Sequence, residues 1–232
     1  MSMQTSEELK RQAARAACEY VMPRLPAGAP LGIGTGSTVN HFIDAWAQAL
    51  AGSCAKACAV SSSLATEQRL REKDIRVVDL NTLDVVPFYI DGADEITRQM
   101  EMLKGGGGAL TREKIVAAVA ETFICIADES KLKEFLGAFP LPVEVIPMAR
   151  QHVIRQLRKL GGKACWREKY VTDNGHHILD VSGLSITDAR TLETTINQIS
   201  GVISNGLFAL RGANLLFLGT RQGIRRIEPK AV

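Results

Sequence analysis

Short apolar runs and longer amphipathic stretches alternate along the first half of the chain. In the stretches, apolar residues recur three or four positions apart, as at Val39, Phe42, Ile43 and Trp46, and this spacing predicts helices. Further helices are expected over residues 5–22, 64–73 and 112–121. The runs predict buried strands over residues 31–34, 59–61, 76–80, 88–91 and 123–127. This alternation predicts an α/β fold, with a Rossmann-like, mostly parallel sheet and helices on both faces.

The pattern changes near Pro140, where prolines surround an extended run over residues 143–146. The elements predicted to follow are a helix over residues 149–160, strands over 164–171 and 177–181, a helix over 188–199 and a strand near Val202. The two strands are expected to form a hairpin closed by the turn Asp173-Asn-Gly175. This order of elements predicts a small α+β lobe.

Two domains are therefore expected. The larger, catalytic α/β domain would consist of residues 1–131 and 205–232, and the smaller α+β domain of residues 132–204. The apolar run over residues 215–218 is expected to rejoin the larger sheet. The small domain would then be an insertion before the last strands of the larger one.

Composition excludes several classes of partner. The chain has 232 residues, is 46% hydrophobic and carries a formal net charge of +3 without a block of Lys or Arg. We therefore expect neither nucleic acid nor a membrane surface as a partner. No apolar run approaches the roughly 18 residues that a membrane-spanning helix needs. The first ten residues are polar and mixed in charge, so we expect no signal peptide and a cytoplasmic protein.

The cysteines do not indicate a disulfide framework or a metal site. They are odd in number and scattered, at Cys18, Cys54, Cys58, Cys125 and Cys165. Cys54 and Cys58 have a spacing that metal ligands can show, but no second Cys or His pair lies near them in sequence. His176 and His177 adjoin the predicted turn and are expected at the surface. Reduced thiols and no bound metal are the prediction.

Residues 91 to 113 hold the densest group of chemically active side chains. Asp91 ends a predicted strand, at the edge where open α/β sheets bind ligands. Asp94 follows, and Lys104 precedes four glycines that leave room for a ligand. Glu113 lies in the first turn of a predicted helix. Carboxylates and a lysine with little bulk between them suit proton transfer on a small polar substrate.

Each of these residues also has a purely structural explanation. Asp91 or Asp94 could shape a turn or cap a helix. Lys104 could be a solvated surface cation. Glu113 would be favoured at a helix N-terminus by the helix dipole alone. The combination of all four within about one βα unit favours the functional interpretation.

A second glycine-rich segment covers residues 32–38 and joins a predicted strand to a predicted helix. Such a turn brings backbone N–H groups close to a phosphate. The segment lacks the Gly-Lys-Ser/Thr ending of a P-loop and misses Gly-x-Gly-x-x-Gly by one position, because residue 37 is serine. Serines stand at residues 61–63, where a dinucleotide-binding protein carries an acid. A phosphate or sugar suits these hydroxyls better than NAD does.

These motifs, taken together, resemble ribose-5-phosphate isomerases of type A. The matching segments run in order over nearly the whole chain and are residues 34–38, 61–63, 91–96, 104–107, 110–115, 128–131, 140–147, 171–175 and 206–208. Two positions depart from the expected pattern. Gly108 stands where we expect alanine, and Asn214 stands where we expect an acid.

The resemblance implies an aldose–ketose isomerase of the pentose phosphate route. Such an enzyme interconverts D-ribose 5-phosphate and D-ribulose 5-phosphate through an enediolate, without metal or another cofactor. By similarity Glu113 is the general base, and Asp91, Asp94 and Lys104 complete the catalytic set. The substrate is expected to contact these residues and Thr35, Gly36, Ser37, Thr38, Gly92, Ala93, Gly105, Gly106, Gly107, Lys131 and Lys10.

Within that set the resemblance also implies separate roles. Asp91 and Asp94 would contact sugar hydroxyls, and one of them would assist ring opening. Lys104 and the N–H groups of residues 105–107 would stabilise charge on oxygen. Lys131 and Lys10 would favour the phosphate end. A homo-oligomer, either a dimer or a tetramer, is also implied.

Two other functions remain open from the sequence. A non-catalytic sugar-phosphate sensor could share the phosphate-binding turn but would not need Glu113. A nicotinamide-dependent dehydrogenase is disfavoured by the imperfect glycine fingerprint and the missing acid. Bound nicotinamide would be visible in the absorbance spectrum of the purified protein.

Exhaustive chelation with EDTA is expected to leave the turnover of ribose 5-phosphate unchanged. A lysine and glycine N–H groups can hold the charge that a metal ion holds in other enzymes. Turnover measured before and after chelation tests this expectation. Loss of activity that a divalent ion restores would contradict it.

Overall fold

The protein has the predicted α/β fold class, seen in a computed structural model that describes residues 5–51 and 57–229. Its helices are α1 (Ser6–Val21), α2 (Ser37–Leu50), α3 (Leu64–Glu72), α4 (Leu110–Val119), α5 (Arg150–Lys159) and α6 (Ala189–Asn197). Its strands are β1 (Leu31–Ile33), β2 (Cys58–Ser61), β3 (Arg76–Val77), β4 (Val86–Asp91), β5 (Glu95–Ile96), β6 (Met102–Leu103), β7 (Ala120–Asp128), β8 (Leu141–Val145), β9 (Lys163–Trp166), β10 (His177–Ser182), β11 (Val202–Asn205), β12 (Leu207–Phe208), β13 (Leu215–Thr220) and β14 (Gly223–Ile227).

A seven-stranded sheet forms the larger part of the molecule. Its strand order is β14-β13-β7-β4-β1-β2-β3. Neighbouring strands are parallel except for the edge pair β13 and β14. The parallel arrangement brings the carboxyl ends of β1, β4 and β7 to one edge, so the loops that follow these strands lie side by side.

Both faces of this sheet are buried against helices. In β7, Ile124 and Ile126 pack with residues of α1 and α2, while Phe123 and Cys125 pack on the other face with residues of α4 such as Val116. Side chains on a strand alternate between its two faces, so one short apolar run can serve both cores. This is why the strands read as continuous apolar runs in the sequence.

A four-stranded antiparallel sheet, with order β11-β8-β10-β9, forms a second layer with α5 and α6. Its elements follow the order βαββαβ and enclose a separate apolar core. The strand β13 pairs in parallel with β7 in the larger sheet, as the apolar run over residues 215–218 indicated. The domain boundaries near residues 131 and 205 stay a prediction.

A small three-stranded sheet, with order β12-β6-β5, was not expected from the sequence. Its strands have two residues each, too few to show a hydrophobic period. The sheet nevertheless fixes the backbone at Lys104, whose N–H donates to the carbonyl of Gly206 at 2.9 Å. It therefore positions the glycine run that follows.

Several predicted boundaries were wrong by a few residues. The helix predicted over residues 112–121 is α4, which begins at Leu110 and ends at Val119 because β7 starts at Ala120. The strand predicted over residues 76–80 ends at Val77, since the Asp79 side chain accepts from the N–H of Asn81 at 2.9 Å and starts a turn. The edge strand β14 was not predicted at all.

The predicted hairpin is confirmed, because β9 and β10 pair antiparallel, but its first strand was predicted to reach residue 171 and is shorter. Strand β9 ends at Trp166, and residues 167–176 form a long loop that contains the Asp173-Asn-Gly175 turn. His176 was expected at the surface, but it is partly buried. Its Nδ1 lies 2.9 Å from Oε1 of the fully buried Glu144. The loop leaves the sheet because its side chains bind groups elsewhere in the protein.

In the described ranges no helix is both long and apolar enough to cross a membrane. Cys18, Cys58, Cys125 and Cys165 are free thiols, and Cys54 lies outside the described residues. The suggestion that Cys54 and Cys58 form a metal pair is therefore not addressed by the structure.

Candidate active site

Asp91 is completely buried at the carboxyl end of β4. Its carboxylate accepts hydrogen bonds from the backbone N–H of Thr35 at 3.1 Å and of Gly92 at 2.7 Å, and from the Tyr89 hydroxyl. Gly34 leaves the space that this carboxylate occupies, because a Cβ atom there would lie 2.0 Å from its carboxyl carbon. The Asp91 side chain is thus held in one position in the floor of the site.

Lys104 directly follows β6, and its side chain extends to the Asp91 carboxylate. It is only 3% exposed. Its Nζ lies 2.8 Å from Asp91 Oδ2 and donates to the carbonyl of Gly92 at 2.6 Å. Burial alone would lower the pKa of Lys104. The charges of Asp91 and Glu113 outweigh that effect and hold its pKa above the usual value. Lys104 is therefore a permanent cation.

Glu113 projects from the first turn of α4 and is 4% exposed. Its Oε2 lies 3.5 Å from Lys104 Nζ and makes no hydrogen bond to the described residues. Burial raises the pKa of Glu113 to about 8; the charge of Asp91 adds to this rise, and Lys104 opposes it. Burial therefore outweighs the lysine, a balance that the sequence alone left open.

The raised pKa values of Lys104 and Glu113 reflect the number and sign of the buried charges around them. Asp91, Glu113 and Lys104 supply two negative charges and one positive charge, and the side chain of each is at most 5% exposed. Asp91 has several hydrogen-bond donors, whereas Glu113 has only the distant ammonium. The proton that balances the charge is consequently held on Glu113.

A cavity of about 160 Å³ opens above this cluster. It is lined by Lys10, Thr35, Gly36, Ser37, Thr38, Gly92, Ala93, Asp94, Lys104, Gly105, Gly106, Gly107, Glu113 and Lys131. The volume is below the roughly 300 Å³ at which pockets for drug-sized ligands begin. It suits a small polar molecule and is too small for a dinucleotide.

One wall of the cavity is formed by Asp94 and the glycine loop of residues 105–107. The N–H of Gly106 donates to Asp94 Oδ2 at 2.8 Å. A Cβ atom on Gly106 would lie 2.8 Å from Asp94 Oδ1, so glycine permits this close approach. Asp94 lines the cavity, and its hydrogen bond with the Gly106 backbone fixes its side chain there.

The opposite side of the cavity is suited to an anion. Helix α2 begins after Gly36 without a side-chain cap, so its first N–H groups are available to a ligand. Lys10 donates to Ser37 Oγ at 3.1 Å, and Lys131 lines the same cavity. Two lysines and a helix N-terminus are a recurrent combination for binding phosphate.

Sequence reasoning missed Tyr89, which lies behind this surface, although it had named Thr35 and the serines of residues 61–63. Tyr89 is fully buried and hydrogen-bonds to Asp91, and burial raises its pKa well above the usual value. The Thr35 hydroxyl contacts the hydroxyls of Ser62, at 3.1 Å, and Ser63, at 2.9 Å. Tyr89 and Asp91 are two residues apart on one strand and so point to the same face, a signal that could have revealed the pair.

The structure brings the predicted site residues together, with one exception in detail. Asp91 does not line the cavity, because Lys104 and the Gly92 backbone lie between its carboxylate and the opening. Direct contact of Asp91 with sugar hydroxyls therefore stays a prediction. Its observed contacts are with Lys104, the backbone N–H groups of Thr35 and Gly92, and the Tyr89 hydroxyl. In the described part of the chain, no three His, Cys, Asp or Glu side chains are grouped as metal ligands.

Comparison with known proteins identifies the family. The family model described as ribose 5-phosphate isomerase A (phosphoriboisomerase A) matches residues 58–223. The chain belongs to the ribose 5-phosphate isomerase A family. The crystal structure of ribose 5-phosphate isomerase A from Neisseria gonorrhoeae shares 46% sequence identity with it, at a TM-score of 0.93, over 99% of this chain and 100% of that chain.

Two more distant members of the family have the same fold. Ribose 5-phosphate isomerase A from Methanocaldococcus jannaschii is 36% identical, with a TM-score of 0.90, over 97% of this chain and 100% of that chain. A D-ribose-5-phosphate isomerase in complex with phospho-erythronic acid is also 36% identical, with a TM-score of 0.91 and the same coverage. The resemblance drawn from short motifs is thus confirmed over the whole chain.

Replacing Glu113 with glutamine should stabilise the fold increasingly as the pH rises. In the unfolded chain Glu113 has its ordinary pKa of 4.5, whereas in the folded protein its pKa is about 8. Between these values the folded state binds a proton that the unfolded state does not, so stability falls as pH rises. Glu113→Gln removes this loss. Its melting temperature should exceed that of wild type at pH 8 by more than at pH 5.

Glu121→Gln, at an exposed position in β7, is the matched control and should show no such trend with pH. Calorimetry at a series of pH values measures the difference. An excess in melting temperature that does not change with pH would contradict the raised pKa.

Proposed function

We propose that this protein interconverts D-ribose 5-phosphate and D-ribulose 5-phosphate through an enediolate, with Glu113 as the general base. The observation that carries the proposal is the buried Glu113 carboxylate, which faces a small polar cavity beside Lys104 and lacks a hydrogen-bond partner in the described residues. A sensor that only bound sugar phosphate would have no use for such a group. Family membership supports the same reaction.

The reaction moves one proton between two carbons. In the open-chain aldose, ionised Glu113 takes the proton from C2, and the electron pair shifts to the carbonyl oxygen at C1. The hydroxyl proton on the C2 oxygen then passes to the C1 oxygen, which moves the negative charge to the C2 oxygen. The C2 carbonyl forms as C1 takes back the proton that Glu113 holds, so the carboxylate is regenerated with the ketose. Deprotonation of such a weak carbon acid is favoured by a base of raised pKa, which Glu113 provides.

The enediolate oxygens need positive charge or N–H groups nearby. Lys104 is a permanent cation in the cavity wall, and residues 105–107 place backbone N–H groups on the adjacent wall. Fixed donors in a site closed to water stabilise developing charge more strongly than solvent does. Asp91 contributes by holding Lys104 at 2.8 Å.

The other substrate contacts follow from the shape of the cavity. Asp94, which lines the cavity, is better placed than Asp91 to bind sugar hydroxyls and assist ring opening. The phosphate group would bind at the N-terminus of α2, near Lys10 and Lys131. The relative that binds phospho-erythronic acid, a phosphorylated sugar acid, supports a sugar phosphate as ligand.

The wider biological setting stays a prediction from family resemblance. It comprises a place in the pentose phosphate route, a cytoplasmic location and a homodimeric or tetrameric assembly. No nucleic acid or membrane partner is proposed. Sedimentation that shows only monomer at micromolar concentration would count against the assembly.

Glu113→Gln should lower kcat by about 10²–10⁴ and leave KM within a few-fold of wild type. The amide keeps the size of the side chain but cannot accept the proton from carbon. Phosphate and hydroxyl contacts come from other residues, so substrate binding is retained. The same variant should stop the exchange of the C2 proton with solvent, which NMR in D₂O measures directly.

Glu121→Gln is again the matched control and should behave as wild type. If Glu113→Gln kept more than about a tenth of wild-type turnover, which is outside the general-base range, the base would have to be another carboxylate. Asp94 would then be the next candidate, because it also lines the cavity.

A further inference from the structure

Three successive carbonyl groups of the glycine loop are held by two side chains from residues 167–176. Arg167 Nη1 donates to the carbonyl of Gly106 at 3.1 Å, and both Nη atoms lie 3.4 Å from that of Gly105. The Tyr170 hydroxyl donates to the carbonyl of Gly107 at 3.0 Å. Both side chains come from the loop that leaves the small antiparallel sheet after β9.

The guanidinium of Arg167 is itself fixed. Its Nε donates to Asp180 Oδ2 at 2.8 Å, and its Nη2 donates to the other oxygen of the same carboxylate. Such a forked pair sets the plane of the guanidinium as well as its position. Asp180 belongs to β10, an inner strand of the small sheet, so Arg167 transmits the position of that sheet to the glycine loop.

The orientation of the carbonyls determines the orientation of the N–H groups. In a trans peptide the carbonyl of one residue and the N–H of the next point in opposite directions. Because the carbonyls of Gly105 and Gly106 point to Arg167, the N–H groups of Gly106 and Gly107 point away from it. The N–H of Gly106 indeed donates to Asp94 on the cavity side. The proposed oxyanion donors are therefore aimed by contacts on the far side of the loop.

Gly108 makes room for this arrangement. A Cβ atom on Gly108 would lie 2.0 Å from the Tyr170 hydroxyl oxygen, and its φ of +81° also favours glycine. The family resemblance led us to expect alanine at this position. In this chain the Tyr170 hydroxyl occupies the space that a side chain at residue 108 would fill. Glycine at residue 108 and tyrosine at residue 170 therefore form a matched pair.

From these contacts we propose that Arg167 and Tyr170 are positioning residues for isomerisation, which hold the 105–107 loop so that the N–H of Gly107 faces the enediolate oxygens while that of Gly106 keeps Asp94 in place. The proposal rests on the proposed function and deepens it. The small antiparallel sheet then contributes to catalysis through the loop, although none of its residues lines the cavity.

Three substitutions test the proposal from different sides. Arg167→Lys keeps the charge but loses the forked pair with Asp180 and the guanidinium contacts with the loop carbonyls. Tyr170→Phe removes only the hydroxyl, and Gly108→Ala displaces the tyrosine ring. Each substitution has a matched control. Arg150→Lys changes an arginine of α5 that stacks on Trp166 of the same sheet. Tyr20→Phe lies in α1, and Gly28→Ala lies at a φ of +76° with no atom within 4 Å of an added Cβ.

For each variant kcat, KM, melting temperature and inhibition by phospho-erythronic acid are measured. Arg167→Lys should lower kcat by about 10²-fold, the scale of a misplaced catalytic group. Tyr170→Phe should lower it by about fivefold, the value of one net hydrogen bond. KM should change by less than about threefold, because the loop acts on charge formed during the reaction. The controls should match wild type in kcat, KM and inhibition, and Gly28→Ala should lose some melting temperature because alanine is strained at a φ of +76°.

Inhibition by phospho-erythronic acid is a measurement that would not change if Arg167 and Tyr170 had a purely structural role. The planar carboxylate of this inhibitor can occupy the place of the two enediolate oxygens, so its affinity should fall in proportion to kcat/KM across the variants. Kinetics are normalised to the folded fraction measured by circular dichroism. Gly108→Ala should weaken inhibition at least as much as Tyr170→Phe does.

Two results would overturn the proposal. One is normal kcat and normal inhibition in both Arg167→Lys and Tyr170→Phe. The other is a rise in KM with unchanged kcat, which would assign the contacts to ground-state binding. These results are distinguishable from failure of the proposed function, because in that case wild type itself would not turn over ribose 5-phosphate.

Discussion

The site depends on a buried imbalance of charge. Asp91, Lys104 and Glu113 lie together out of water, with two potential negative charges and one positive charge. Full ionisation of both carboxylates would leave one charge uncompensated, which is costly in a medium of low dielectric. Asp91 accepts hydrogen bonds from two backbone N–H groups and the Tyr89 hydroxyl, whereas Glu113 Oε2 accepts none from the described residues. The raised pKa of the Glu113 carboxyl follows from burial and from this difference in hydrogen bonding.

Close backbone approaches make this geometry possible. Asp91 fits only because residue 34 lacks a side chain, and Asp94 can meet the glycine loop only because residue 106 lacks one. The loop of residues 167–176 adds support from the small sheet. Its Asp173 accepts from the N–H of Leu64 at 2.8 Å, and its Thr172 donates to buried Glu144 at 2.8 Å. Glu144 also accepts from Thr111, two residues before Glu113, so the loop helps to fix α4.

Features that depend on local pattern could be predicted from the sequence. The short apolar runs gave the parallel sheet, and their carboxyl ends correctly located Asp91 beside the glycine turn after β1. Features that depend on pairing between distant residues could not. Arg167 lies 13 residues from Asp180 and about 60 from the carbonyls that it binds, and nothing in the sequence marks that contact. Residues 167–171 of this loop were predicted to be strand because the sequence does not show these distant partners, whereas the turn at residues 173–175 was predicted correctly.

The pH dependence of kcat/KM tests the central claim most directly, because it reports the pKa of the free enzyme's base. Measurements between about pH 6.5 and about pH 9 avoid the substrate's own phosphate ionisation near 6. If Glu113 is held protonated by burial and by Asp91, kcat/KM should rise with pH and level off above an apparent pKa of about 8. A profile that is flat across this range would mean a base with an ordinary carboxyl pKa, and it would contradict the account.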